Sequence, residues 1–469
     1  MAVQNTLRKR SVYLDRLIAL KDTGTVKIIT GVRRSGKTSL LHLMMAHLRE
    51  SGVRDEQIIE MDFESYAFSK MSAEYFFHYV KNRIFRGGHT YLFFDELQHV
   101  PDWAEQVSAM RTAFDCDIYI TGSNAALLSS AYSTYLSGNY ELIRMLPLSF
   151  AEFLDFQGYT ICKARGGQAL TAGDAFADRG DGTNDTADRV PDYRTDFAFN
   201  RKCCAIIGAD GREHDLHTAF DAYLHYGGMP VLSDTILEED RVQPYWDGIY
   251  STILLRDILE REKGQGRQSI KDPALLRKII WYLADHVGRH VSASLIGNTL
   301  VGEGLLFEGI RENAPSVHTL QAYVAALTES YLFYDVKRYD IRANESLQTL
   351  GKYYIADLGL RSYLLGFENR DSEQALENAV YFDLLLRGYN VAVGKIGKGA
   401  VDFIATKANE KLYIQVAQSM ADEAVKKREL APLRKIRDNY GKLVLSMAPG
   451  DTPEYDGIMS MDLVEWLVM

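Results

Sequence analysis

The chain has 469 residues, which is more than one hydrophobic core organises, so we expect about three domains. Apolar residues make up 46% of the chain and charged residues 25%, a composition that is typical of a soluble globular protein and excludes a disordered or fibrous one. The net charge of −10 argues against a chain that coats nucleic acid along its whole length, although it is compatible with a local basic patch.

The composition also bears on location. The sequence has no run of about 18 uninterrupted apolar residues, and its start lacks the apolar core of a secretory signal. The four cysteines form no C-x-x-C pair. We therefore expect no membrane contact, no disulfide framework and a cytoplasmic location.

A phosphate-binding loop follows the first apolar strand. Residues 31–38 match G-x-x-x-x-G-K-[ST] and come directly after the β-branched run 26–30. A helix that opens at Lys37 would point its positive end at a bound anion. Lys37 would reach the β- and γ-phosphates, and the Thr38 hydroxyl would bind Mg²⁺. The sequence thus predicts a nucleoside triphosphate site formed by Gly31, Arg33, Arg34, Ser35, Gly36, Lys37, Thr38 and Ser39.

Residues 1–156 alternate short apolar strands with amphipathic helices, a pattern that predicts an α/β fold with a parallel sheet. The next strand ends in Asp95 and Glu96. In a P-loop enzyme such an aspartate holds Mg²⁺, and the glutamate polarises the attacking water as a general base. The alternative is a strand that ends in two solvated acids. Asn124 follows another strand and is a candidate γ-phosphate sensor or, alternatively, a turn or helix cap.

The middle of the chain changes character. Residues 157–217 are rich in glycine and aspartate, and we expect a flexible insertion there. Helical patterning then returns over 218–265, interrupted by Gly227-Gly228-Met229-Pro230, and predicts a helical region after the sheet.

These motifs, together with the run LPLSFAEF at 146–153, resemble those of predicted AAA+ ATPases of bacteria and archaea whose C-terminal half is a domain of unknown function. The resemblance implies a homo-oligomeric ATPase, a ring of six or seven subunits, that uses ATP and Mg²⁺. It also makes 218–265 a lid, in which Gly228 and Pro230 lie against the adenine. The family usually has an arginine where this chain has Asn139. In AAA+ rings an arginine often reaches the γ-phosphate that is bound by a neighbouring subunit. Arg144 and Arg111 are the candidates for that role in this chain.

The C-terminal half contains two further regions. Over 266–366 the pattern is helical and ends in a hairpin, which predicts a winged-helix domain with its second helix at 316–327 and a strand at 332–339. Arg338 and Arg342 would lie near the tip of the wing. Such domains dock DNA, but some serve only for packing between domains.

Residues 367–469 are similar to the PD-(D/E)xK nuclease core, in which a helix glutamate, an aspartate and an E-x-K strand hold a metal that activates water. Glu377 and Asp402 match this pattern. Gln415 replaces the second carboxylate and Ala417 the lysine, so the resemblance implies a nuclease fold without nuclease activity.

Cations recur on one predicted helix at 426–428 and 434–437, where they form either a DNA-contacting face or a solvated one. The leading interpretation is a Mg²⁺-dependent AAA+ ATPase coupled to a DNA-contacting C-terminal module. A nucleotide-gated scaffold and an ATP-regulated metal nuclease are the alternatives.

Overall fold

The computed structural model describes residues 7–68, 70–123, 125, 138–163, 204–253, 258–259, 270, 272–302, 315–367, 372–450 and 452–469. The described residues fall into two compact units. The first unit takes its residues from Met1–Pro147, Asp247–Arg277 and His318–Phe333. The second unit takes its residues from Leu148–Trp246, Lys278–Val317 and Tyr334–Met469.

A five-stranded parallel sheet forms the centre of the first unit, which confirms the predicted α/β fold. Its strands stand in the order β2-β3-β4-β1-β5, so the first strand lies between the fourth and the fifth. Because the strands are parallel, all their carboxyl ends meet at one edge of the sheet. The strands are β1 (Val26–Thr30), β2 (Ile58–Asp62), β3 (Thr90–Asp95), β4 (Cys116–Gly122) and β5 (Tyr140–Arg144).

Helices cover this sheet and close its core. They are α1 (Ser11–Ala19), α2 (Lys37–Glu50), α3 (Ala73–Lys81) and α4 (Trp103–Ala113). On one face, Phe76 of α3 packs edge-on against Phe63 and Phe94, and all three rings are buried. Edge-to-face packing adds to the hydrophobic gain of burying large rings, so this cluster holds α3 against β3 and thereby positions the end of β3.

The second unit contains a small sheet at the ends of the predicted insertion. Strands β6 (Thr160–Lys163), β7 (Cys204–Ile207) and β8 (Glu213–His214) pair in antiparallel fashion. These strands stand at the two ends of the range 157–217, where we expect a flexible insertion, and their short apolar runs bury Cys162, Ile206 and Ile207. The overall glycine and aspartate content concealed these runs. Residues 164–203 lie outside the described residues.

An eight-stranded mixed sheet is the largest element of the second unit, in the order β10-β9-β11-β12-β13-β14-β16-β15. The predicted wing strand is β9, which pairs in parallel with β11. The sheet thus runs across the predicted boundary at 366, and the five predicted domain ranges stay predictions. Its strands are β9 (Phe333–Asp340), β10 (Glu345–Ile355), β11 (Asn390–Ile396), β12 (Gly399–Lys407), β13 (Glu410–Ala417), β14 (Gly441–Ser446), β15 (Glu454–Tyr455) and β16 (Ile458–Asp462).

Ten further helices are described along the chain after β5. They are α5 (Phe150–Phe156), α6 (Leu216–Tyr226), α7 (Glu239–Thr252), α8 (Pro273–Asp285), α9 (Ala293–Gly302), α10 (Val317–Glu329), α11 (Leu358–Leu365), α12 (Ser372–Leu386), α13 (Glu423–Arg434) and α14 (Leu463–Leu467). Among the residues that the structure describes, no helix is both long and apolar enough to cross a bilayer.

Candidate nucleotide site

The loop between β1 and α2 is shaped by its glycines. Gly31 has φ 154°, and a side chain there would place its Cβ 2.0 Å from the carbonyl oxygen of Met145, which follows β5. Gly36 and Arg34 also adopt positive φ, at 99° and 65°. Only glycine allows the chain to pass so close to the neighbouring strand, so Gly31 is required by the fold of the loop itself.

Lys37 lies over this loop at the start of α2. Its ammonium donates to the carbonyl oxygens of Gly31 at 3.2 Å and Val32 at 3.3 Å. It also lies 3.6 Å from Glu96 Oε1, and the side chain is only 4% exposed. A buried cation between the loop and a carboxylate at the end of β3 is in position to contact an anion that the loop holds.

Asp95 is held by hydroxyls from two other elements. Thr38 Oγ1 donates to its Oδ2 at 2.7 Å, and Thr121 Oγ1 donates to its Oδ1. Burial raises the pKa of Asp95, and the two hydroxyl donors oppose that rise. Oxygen ligands are those that Mg²⁺ prefers, so the Thr38 hydroxyl and the Asp95 carboxylate fit a magnesium ion at this edge of the sheet.

Glu96 is fixed in an unusual backbone conformation, with φ 52°. Its amide donates to Thr121 Oγ1 at 2.9 Å, and its Oε2 accepts from the Ser123 amide at 3.1 Å. Burial alone would raise the pKa of Glu96, but the Lys37 ammonium and the Gln98 amide hold it below its ordinary value. The carboxylate is therefore ionised and oriented, and positive φ in a non-glycine residue is a strain that proteins retain mainly at functional sites.

Two family models match parts of the chain. Residues 23–154 match the family described as an AAA domain, and residues 217–371 match a domain of unknown function, DUF8612. An uncharacterized protein of Haemophilus influenzae is 34% identical over 463 residues, which are 98% of this chain and 98% of that protein. The chain belongs to the same family as this Haemophilus influenzae protein, and the part of it that contains the phosphate loop matches the AAA domain.

Three other similarities are more distant. The uncharacterized protein MJ1544 of Methanocaldococcus jannaschii is 24% identical over 92% of this chain and 82% of its own length. The Walker-type ATPase PABY2304 of Pyrococcus abyssi is 13% identical, with a TM-score of 0.43, and the match covers 76% of this chain and 96% of that structure. The Orc1 protein of Aeropyrum pernix, solved in complex with DNA, is 11% identical with a TM-score of 0.30, over 77% of this chain and 94% of that one.

Arg10 is a residue of the first unit that the motifs did not reveal. Its guanidinium donates to the carbonyl oxygens of Ser35 at 3.1 Å, Leu146 at 2.7 Å and Pro147 at 3.2 Å. It is 4% exposed and stacks on the ring of Tyr13. One buried arginine thus joins the phosphate loop to the chain after β5. No local signal identifies it, because its partners lie up to 137 residues away.

A second group of potential ligands lies beside Glu96. Glu64, Glu96 and His99 bring ligand atoms within 4.8 Å of one another. Arg33 of the phosphate loop makes a two-oxygen ion pair with Glu64, at 2.7 Å and 3.0 Å. Because the guanidinium occupies both oxygens of Glu64, this group is less suited to a metal ion than Thr38 and Asp95 are.

The structure separates the candidate arginines. Arg144 is exposed at the carboxyl end of β5, in register with Thr30, and so lies at the edge where the phosphate loop begins. Arg111 lines a groove with Cys116 and Asp117 at the amino end of β4, which is the opposite edge. Asn139 also lies at that opposite edge, where its carbonyl accepts from the Val26 amide. Asn124, the candidate sensor, lies outside the described residues.

Gly228 and Pro230 belong to the second unit, where close packing explains the glycine pair. A Cβ on Gly228 would approach the carbonyl oxygen of Leu148 to 2.4 Å, and one on Gly227 would approach Asp357 Oδ1 to 1.8 Å. The Gly228 amide donates to Asp357 Oδ2 at 2.7 Å. Close packing within the second unit therefore requires glycine at both positions.

The nuclease-like residues Glu377, Asp402 and Gln415 are also in this unit, on α12, β12 and β13.

Proposed function

We propose that the chain hydrolyses ATP in a Mg²⁺-dependent reaction at the carboxyl edge of the parallel sheet. The observation that carries this proposal is the position of Glu96, whose Oε1 lies 3.6 Å from Lys37 Nζ while its Oε2 is tied to the Ser123 amide. A carboxylate that is fixed, ionised and adjacent to the phosphate-binding lysine has the properties of a general base for water.

Each residue of the site has a separate role in the proposed hydrolysis. Lys37 and the loop amides bind and orient the β- and γ-phosphates, and Thr38 and Asp95 would hold Mg²⁺, which supplies positive charge to the phosphate oxygens when bound. Glu96 accepts a proton from the water that attacks the γ-phosphorus. The bond between that phosphorus and the β,γ-bridging oxygen breaks, and ADP leaves with the bridging oxygen.

The proposal is tested with Glu96→Gln, which keeps the shape of the side chain and removes its basicity. We expect phosphate release to fall by about 10²–10⁴-fold, with ATP binding retained. Glu60→Gln is the matched control, because Glu60 is an exposed acid on β2 that takes no part in the site, and its rate should be unchanged. Undiminished phosphate release from Glu96→Gln would show that Glu96 is not the base.

The proposal includes homo-oligomers, rings of six or seven subunits, in which a neighbour supplies an arginine to the γ-phosphate. Arg144 suits this role better than Arg111, because it is exposed at the edge of the sheet from which the phosphate loop leaves. Complementary pairs of inactive variants should then restore each other's activity when mixed.

A contact between DNA and the C-terminal half is part of the same proposal, and it rests on the exposed cations Lys427, Lys435 and Arg437. The predicted single helix ends at Arg434, so Lys427 lies on α13 and Lys435 and Arg437 follow it. Two other cations of α13 are paired, Lys426 with Glu423 and Arg434 with Asp456. These pairs reduce the positive charge that the helix offers to phosphates, and they favour the alternative of a nucleotide-gated scaffold.

A salt titration of binding to duplex, single-stranded and branched DNA separates the two functions. DNA contact predicts saturable binding that weakens steeply with salt and is lost when Lys427, Lys435 and Arg437 are all changed to glutamate. An absence of saturable binding at low salt would favour the scaffold, while ATP hydrolysis is measured separately and stays unaffected by this outcome.

A further inference from the structure

The second unit contains a buried pair of carboxylates, Glu377 on α12 and Asp402 on β12. The nuclease resemblance places a divalent metal between such a pair. In this chain a lysine from a different strand occupies that place. Lys352 of β10 brings its Nζ to 2.7 Å from Glu377 Oε2 and 3.3 Å from Asp402 Oδ1. A single ammonium thus bridges the two carboxylates that would hold the metal.

Two further donors inside the protein contact the pair. The Tyr354 hydroxyl donates to the same Glu377 Oε2 at 2.8 Å. The Val416 amide donates to Asp402 Oδ2 at 3.0 Å. Both residues are buried, with 11% of the Glu377 side chain and 12% of the Asp402 side chain exposed, so the carboxylates depend on these donors more than on bulk water.

Gln415 stands at the third metal-ligand position of the nuclease pattern, and it is a weak ligand for a divalent ion. Gln415 is neutral, and its amide nitrogen donates to Glu429 Oε2 at 2.8 Å. The acid beside it, Glu429, has its second oxygen on Arg428 Nε at 2.7 Å. Gln415 Oε1 has no hydrogen-bond partner among the described residues, but a neutral amide oxygen adds no charge toward a divalent ion.

Lys352 is held in place by its backbone on both sides. It forms an antiparallel bridge with His290, and the adjacent Tyr353 and Gly351 carbonyls accept from the amides of Gly288 and Val291, each at 3.0 Å. A lysine on a mobile loop would swing away to admit a metal. Strand pairing fixes the Cα of Lys352 instead, so its side chain reaches the two carboxylates from an ordered element.

A count of charges favours the Lys352 ammonium over a divalent metal ion at this pair. One ammonium against two carboxylates leaves the pair at most one negative charge in excess, whereas a divalent ion added beside Lys352 would set three positive charges against at most two negative ones. Two cations within a few ångströms repel strongly in a buried site. Moving the ammonium elsewhere within the interior would leave an uncompensated buried charge.

We propose that Lys352 is the resident cation of the Glu377–Asp402 pair and takes the place of the divalent metal, so that this unit has a metal-free ion cluster where a nuclease would have its active centre. Ala417, at the position of the missing lysine, agrees with this assignment. The proposal concerns the second unit and does not depend on ATP hydrolysis in the first.

The test maps metal positions on the full-length protein by Fe²⁺-directed oxidative cleavage, with fragments identified by mass spectrometry. In the wild type we expect no cuts near 377, 402 or 415–417, with Fe²⁺ alone or with Fe²⁺ and ATP. Cuts near Asp95 that require ATP show that the method detects a bound ion, and they report on the first unit alone. Wild-type cleavage beside Asp402 would overturn the proposal without any variant.

Two substitutions of Lys352 extend the test to a variant in which cleavage at the carboxylate pair is expected. Lys352→Met removes the ammonium and should open a site, so that cuts appear near 377 and 402 and Mn²⁺ raises the Tm of this variant but not that of the wild type. Lys352→Arg keeps a cation and should give no cuts there. A folded Lys352→Met protein that neither is cut at these residues nor gains Tm with Mn²⁺ would contradict the proposal. If that variant does not fold, the wild-type map alone decides.

Discussion

The Thr38 hydroxyl donates a 2.7 Å hydrogen bond to Asp95 Oδ2, which joins the first turn of α2 to the carboxyl end of β3. Thr121 at the end of β4 donates to the other Asp95 oxygen and accepts from the Glu96 amide. The two threonines therefore connect the metal-binding acid and the general base of the proposed reaction into one network. Such networks orient their members more firmly than isolated pairs do.

Thr38→Ala should weaken ATP binding mainly when Mg²⁺ is present. The variant lacks the hydroxyl that would contact the ion and orient Asp95, and we expect a loss of about 10–100-fold in Mg²⁺-dependent affinity. Thr38→Ser, which keeps a hydroxyl, should retain most of the affinity. The measurement is a titration with a fluorescent ATP analogue in Mg²⁺ and in EDTA. An equal loss in both conditions would assign Thr38 a role that is independent of metal.

Arg10→Ala should lower both nucleotide affinity and stability, because it removes a buried guanidinium from three carbonyl oxygens. Leaving such acceptors unsatisfied costs about 1–3 kcal/mol. Arg10→Lys should recover only part of the loss, since an ammonium does not reproduce the planar set of donors. Arg16→Ala is the matched control, because Arg16 lies on α1 and makes an exposed hydrogen bond to the Leu142 carbonyl. Equal effects of the two alanine variants on ATP affinity would refute a special role for Arg10.

Asp357 should make stability depend on pH. Burial raises the pKa of Asp357 to about 7, although the amides of Gly228 and Gly359 oppose the rise. The folded protein then binds the proton more tightly than the unfolded chain does, so stability is highest at acidic pH and falls as pH rises from about 4 to about 7. Asp357→Asn lacks this titration, and its stability relative to the wild type should increase by up to about 4 kcal/mol over that window.

The comparison is made by thermal unfolding of both proteins from pH 4.5 to pH 8. Asp357→Asn keeps one carbonyl oxygen for the Gly228 or the Gly359 amide and loses the second acceptor. This loss does not vary with pH, so the change of Tm with pH isolates the titration of Asp357. Parallel Tm profiles for the two proteins would contradict a raised pKa for Asp357.

Arg144→Ala should slow hydrolysis and leave ATP binding intact if a neighbouring subunit uses this side chain. Arginines in that role are worth about 10³–10⁵ in rate in related enzymes. Arg111→Ala is the control, since Arg111 lies at the amino edge of the sheet. The decisive measurement mixes Arg144→Ala with Glu96→Gln, because each would contribute what the other lacks. Failure of the mixture to recover activity above either variant would exclude Arg144 as a trans-acting arginine.

The nucleotide site was largely predictable from the sequence, because its main signals are local. The loop of residues 31–38 follows an apolar strand and opens a helix, and Asp95 and Glu96 end another buried strand. Strand and helix periodicity place these residues at the same edge of a parallel sheet. The strands predicted near 58–63, 90–96 and 117–121 accordingly lie within one residue of the observed strands at both ends.

The positions of Arg10 and Lys352 could not be predicted, because their roles arise from partners far away in the chain. Arg10 contacts carbonyl oxygens, which every residue has, and Lys352 sits between acids 25 and 50 residues further on. The small sheet at the ends of 157–217 was missed for a different reason. Its strands are only a few residues long, and the polar composition around them outweighs their apolar pattern.

The sequence alone determined the P-loop chemistry and the α/β class of the first unit, since backbone geometry and residue type suffice for a phosphate loop and for buried parallel strands. Only the tertiary structure decided that β9 and β10 join the C-terminal sheet and that Lys352 enters its carboxylate pair. Strand pairing and buried ion pairs depend on which distant segments meet, and no local pattern of residues encodes that meeting.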